Sequence, residues 1–172
     1  MRGKCHLVII RPVEPLRRCA QRMAQITTGE SDNKVKIDEA LEQFLQRGGM
    51  YAYLATNGRD GYPHVVPIWY LYEDGRFYFT TQTERQKFKN IERDNRVTVC
   101  IAKPEEYRIL MIKGRIQPLR EEIETWVRRL AERYHPPERV ESVVQRLMTP
   151  TRINLVLQPE KIIKTGSGWA GA

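Results

Sequence analysis

The run Phe77-Tyr78-Phe79-Thr80-Thr81 ends in two hydroxyls and leads within a few residues to Arg85, Lys87, Lys89, Asn90 and Arg93. Hydroxyls, backbone N–H groups at a helix start and clustered cations are the donors that a phosphate monoester requires. Positions 87 and 90 stand three apart, on one helical face, where they could grip the same anion. A solvated amphipathic helix has the same composition, and composition alone favours it.

Other chemistry is scarcely declared. No G-x-G-x-x-G follows a strand, and neither a phosphate-binding G-x-x-x-x-G-K-[ST] loop nor a G-x-S-x-G nucleophile elbow occurs. No carboxylate pair stands out for acid–base work, so the catalytic residues stay unknown. His64 precedes a buried-looking strand and reads as a packed or edge histidine before it reads as a base. His6, His64 and His135 are scattered, and Cys5, Cys19 and Cys100 have no metal-ligand spacing. A reducing cytoplasm suits this cysteine usage.

The elements that must position these residues follow from periodicity. Asp38 can cap a helix in which Ala40, Leu41, Phe44 and Leu45 recur at helical spacing, ending at Gly48-Gly49. Met50 to Thr56, His64 to Tyr72 and Phe77 to Thr81 read as strands joined by turns at Asn57–Gly61 and Glu73–Arg76. Thr83 to Arg93 is helical in character. Arg96 to Ala102 and Arg108 to Leu119 read as strands, and Gly114 inside the second predicts a bulge or a close backbone approach. Glu121 to Tyr134 and Pro137 to Leu147 are amphipathic helices, and Ile153 to Leu157 is the last strand. Six short strands at hairpin spacing predict an α+β, mainly β fold with a closed antiparallel sheet.

The net charge of +8 is concentrated at one end: six basic residues against Glu14 alone give residues 1–29 a charge of +5. No aromatics are interleaved there to stack bases, so nucleic acid is not the expected partner. Pro12 and Pro15 interrupt the apolar run before a signal-peptide core forms, and no apolar stretch nears the ~20 residues of a membrane-spanning helix. The expected organisation is a disordered basic leader and linker over 1–34, a domain over 35–165, and a flexible tail over 166–172. A cytoplasmic protein without membrane contact is expected.

Several blocks occur in a telling order: Tyr53-Leu54-Ala55-Thr56, Gly61-Tyr62-Pro63-His64-Val65-Val66-Pro67-Ile68-Trp69, and Asp74-Gly75-Arg76-Phe77-Tyr78-Phe79-Thr80-Thr81. Lys87-Phe88-Lys89-Asn90-Ile91, Asp94-Asn95-Arg96-Val97, Lys113-Gly114-Arg115 and Pro159-Glu160-Lys161 follow. Together they resemble the pyridoxamine 5'-phosphate oxidase-like, FMN-binding split-barrel superfamily over about residues 38–165. The resemblance implies a six-stranded Greek-key split barrel whose homodimer forms two equivalent cofactor sites. It implies that Val66, Pro67, Ile68 and Trp69 lie along a flavin ring, largely through backbone groups. Thr80, Thr81, Lys87 and Asn90 would approach the phosphate or ribityl chain, with Arg85 as an accessory cation. The Arg-Lys pair of pyridoxamine phosphate oxidase itself is Gln86-Lys87 here, and that enzyme's C-terminal substrate motif is missing. Vitamin B6 oxidation is therefore not expected. The resemblance points to an oxidoreductase that uses FMN, or the deazaflavin coenzyme F-420, on a small molecule. The alternative is a non-catalytic flavin or haem binder on the same fold. Trp169 reads either as a cover over the cofactor region or as part of a free tail.

Overall fold

A computed structural model describes Val35 and residues 37–169. The leader and linker expected over 1–34 lie outside the described residues, as do the last three residues of the chain.

The first helix, α1 (Glu39–Gln46), starts as the sequence requires: the Leu41 N–H donates to Asp38 Oδ1 at 2.9 Å. Leu41, Phe44 and Leu45 are fully buried and turn the helix onto the sheet core. The strands are β1 (Ala52–Asn57), β2 (Pro63–Ile68), β3 (Leu71–Glu73), β4 (Arg76–Gln82), β5 (Arg96–Lys103), β6 (Arg108–Leu119) and β7 (Arg152–Thr165). They form one antiparallel sheet in the order β2-β1-β5-β6-β7-β4-β3. Within it β4 returns beside β7 after β5, β6 and β7 have paired in turn, a Greek-key arrangement.

The two edges, β2 and β3, are consecutive in the chain, with only Trp69 and Tyr70 between them. Three Cα steps reach at most about 11 Å. The sheet must therefore curl until its edges nearly meet, which gives a half-open barrel. The strand count corrects the expectation of six: His64 to Tyr72 is not one strand but two. The break falls where the Tyr70 N–H leaves the ladder and donates to Tyr134 Oη at 3.1 Å. The Tyr70 ring is wholly buried, and its hydroxyl donates to Leu45 O at 3.2 Å.

Alternating inward residues of β1 and β4 to β7 fill the barrel, among them Leu54, Phe77, Phe79, Val99, Ile101, Leu110, Ile112, Leu155 and Leu157. Gly114 is both things its position suggested. The β6–β7 register shifts there, leaving Glu160 of β7 as the extra residue. A Cβ on Gly114 would sit 2.1 Å from Gln158 O. The bulge also explains why Pro159 is tolerated and why β7 runs well past Leu157.

Helix α2 (Gln86–Arg93) follows β4 and begins three residues later than its composition suggested. The Thr83 N–H is claimed by Thr151 O at 3.0 Å, and the Arg85 N–H by Gln82 O at 3.1 Å, so residues 83–85 form a turn. Helices α3 (Ile123–Tyr134) and α4 (Pro137–Leu147) pack on each other through Val127, Ala131, Val140, Val143 and Val144, with Trp69 against this second cluster. Trp169 packs edge-on against Phe44 at 4.9 Å between ring centroids. Arg108 Nε donates to Gly168 O at 2.6 Å, fixing the same segment. Among the described residues, no helix is long and apolar enough to cross a membrane.

Candidate functional site

Strand β4 delivers its two terminal threonines to opposite faces, as neighbours on a strand must be. Thr80 Oγ1 is spent on Ile153 O at 3.4 Å. Thr81 faces inward and is nearly wholly buried, and its hydroxyl has no hydrogen-bond partner among the described residues. Such a group costs about 1–3 kcal/mol to leave unpaired.

The start of α2 lies just beyond. Its N-cap is Arg85, which makes no side-chain cap, and its first turn contains no acid. Acids normally occupy this place, because the unpaired N–H groups and the helix dipole favour negative charge. Here the first turn brings Lys87 and Lys89 instead. Lys87 is half-buried, and its pKa is lowered, first by desolvation and then by the charges of Arg85 and Arg152. Arg152 is contributed by β7, whose register sets it opposite Gln82. Its Nη1 donates to Thr81 O at 3.2 Å and its Nε to Leu147 O at 2.6 Å. Arg85, Lys87 and Arg152 thus share one neighbourhood, where Glu84 is the acid that offsets Arg152.

Asn90, expected beside Lys87 on the ligand, is fully buried and engaged within the protein. Its Oδ1 accepts from Gln86 Nε2 at 2.8 Å and its Nδ2 donates to Thr56 Oγ1 at 3.0 Å. Thr56 in turn donates to His64 O at 3.3 Å. This chain of bonds ties α2 to β1 and β2. It borders a hollow of about 550 Å³ lined by Gly58, Arg59, Asp60, Tyr62, Pro63, His64, Gln86 and Asn90. His64 Nδ1 is buried without a partner at that hollow. A second hollow of about 390 Å³, lined by Arg59, Gln86, Lys89 and Arg93, adjoins it through Arg59 and Gln86.

The remaining expected residues lie on β2 and the crossing after it. Val66 is half-buried, Pro67 is exposed, and Ile68 belongs to the barrel core. Trp69 stacks on Tyr134 at 5.1 Å and meets His135 edge-on at 5.0 Å. As an edge strand, β2 keeps one row of backbone groups outside the sheet ladder. The structure therefore gathers Thr81, Arg85 and Lys87 around one helix start, turns Thr80 away and encloses Asn90. Arg152 escaped the sequence reading because only the β4–β7 register brings it there. Gln86 and His64 escaped because only their shared hollow singles them out.

A search of curated proteins finds no match. The family model for pyridoxamine 5'-phosphate oxidase matches residues 37–165. Among solved structures, an F-420 reductase is 27% identical at a TM-score of 0.61, covering 74% of this chain and 98% of its own. A conserved hypothetical protein from Mycobacterium tuberculosis is 21% identical at a TM-score of 0.63, with 83% and 94% covered. A FAD-binding protein from Mesorhizobium loti is 17% identical at a TM-score of 0.52, with 74% and 94% covered. The curled sheet, the cation-led helix and the family match over residues 37–165 agree: the chain belongs to the pyridoxamine 5'-phosphate oxidase family of split-barrel proteins.

Proposed function

We propose that the protein is a flavin- or deazaflavin-dependent oxidoreductase, with FMN or coenzyme F-420 as its cofactor and a small molecule as its substrate. The observation that carries the reading is the start of α2, where cations stand in place of acids and a half-buried lysine has only like charges acting on it. A bound phosphate would accept from the free N–H groups and from Arg85 and Lys87, and would offset the charge of Arg152. The unpaired Thr81 hydroxyl fits the same role. Asn90 acts as a positioning residue, holding Gln86 and, through Thr56, strand β2. The ring would lie along the free edge of β2 towards Trp69. The cofactor supplies hydride transfer; the protein fixes its phosphate and ring and leaves a face to substrate. The likeness to an F-420 reductase supports the deazaflavin branch of this reading.

A homodimer completes it. The outer face of the sheet presents Pro67, Tyr53, Cys100, Met111 and Ile163 in register across five strands. Tyr53 and neighbouring Val65 are about half exposed. An apolar row of this kind is what a second copy would cover.

Reconstitution tests the phosphate assignment. FMN should bind more tightly than riboflavin, and Lys87→Ala should remove that preference at a cost of about 1–3 kcal/mol. Equal affinity for both flavins, or FMN retention unchanged in the variant, refutes the assignment.

A further inference from the structure

We propose that the hollow between the β1–β2 turn and α2 is a second anion subsite, which takes a carboxylate or phosphate borne beyond the phosphate held by Lys87. The inference rests on the reading above for its first anion, but on different residues. Its lining is three cations and an amide: Arg59, Lys89, Arg93 and Gln86. Positions 86, 89 and 93 fall on one flank of α2, whereas Lys87 is turned about 100° from Gln86. Arg59 comes from the opposite side, on a turn closed by the Gly58 N–H donating to Tyr62 O at 2.9 Å.

The acids nearest in sequence are occupied elsewhere. Asp60 accepts the Tyr62 N–H at 3.2 Å and shapes the turn. Asp94 binds Arg96 at 2.7 Å and accepts from Asn57 Nδ2 at 2.8 Å. Glu92 faces a separate hollow beside β6. Arg93 donates to Asn57 O, which holds its guanidinium without neutralising it. Neither Arg59 nor Lys89 has a carboxylate within ion-pair distance among the described residues. Cations gathered on one space repel, and an anionic occupant is what relieves them. Because Arg59 and Gln86 also line the larger hollow, the two spaces form one trough from His64 to Lys89.

The second anion could be carried by the cofactor itself, as in the acidic tail of F-420, or by a separate acidic substrate. Three proteins separate these: the wild type, Arg59→Glu/Lys89→Glu, and Lys87→Ala. Both reversed residues are exposed, so the fold is retained, which circular dichroism checks. The probes are FMN, F-420 with its tail, and inorganic pyrophosphate added to the protein with and without FMN. The double reversal should bind FMN as the wild type does while binding tailed F-420 or pyrophosphate about tenfold more weakly. Lys87→Ala should lose FMN yet keep pyrophosphate. Loss on F-420 with FMN-loaded protein indifferent to pyrophosphate assigns the subsite to the cofactor tail. Pyrophosphate binding to FMN-loaded protein assigns it to a separate ligand. If the double reversal binds tailed F-420 and pyrophosphate like the wild type, the subsite does not exist. Failure of FMN alone to bind the wild type would instead sink the first phosphate site and leave the pyrophosphate comparison to decide this one.

Discussion

Lys87 carries the electrostatic argument, and its titration gives a test with opposed signs. In the protein without an anion its pKa is lowered by burial, then by Arg85 and Arg152. The unfolded chain therefore holds that proton more tightly. Stability should rise with pH between the lowered value and the ordinary lysine value of about 10.4. Affinity for FMN should run the other way, falling over the same window as Lys87 loses its charge. Lys87→Arg should flatten both slopes, because a guanidinium does not titrate there. Thermal melts and flavin titrations across alkaline pH check this. Parallel slopes, or slopes unaltered by arginine, would remove Lys87 from the anion site.

The elements depend on a few close approaches rather than on strand propensity. Gly114→Ala would force a methyl group against Gln158 O, at a point where the β6–β7 ladder already shifts register. The expected cost is about 3 kcal/mol, a fall in Tm of roughly 10 °C. Gly48→Ala is the control: its Cβ would meet nothing within 4 Å, so its Tm should hardly move. Equal melting of both variants would contradict the role given to Gly114. That role was readable in the sequence because a lone glycine in a strand has few explanations. The Asp38 cap and the hairpin turns were readable for the same local reason. The split between β2 and β3 was not. It depends on a hydroxyl from Tyr134, 64 positions away, and no period in His64 to Tyr72 records it. The site divides likewise: Arg85 and Lys87 announce themselves by type and spacing, whereas Arg152 arrives by strand register and Asn90 is enclosed by tertiary packing.

As a whole the molecule is a curled sheet whose edges β2 and β3 are drawn together by a two-residue crossing, with α2 over one end and the α3–α4 pair against Trp69. A single chain leaves the free edge of β2 and the apolar outer row through Tyr53 without cover. Both openings favour a second copy and a flat aromatic cofactor, so assembly and cofactor loading are one claim about the same surface. Native mass spectrometry of the purified protein tests that claim most directly, since it weighs the assembly and its chromophore together. The expected species is a dimer carrying FMN or F-420 equimolar with the chain. A colourless monomer that still takes up neither cofactor when they are supplied in excess would contradict it.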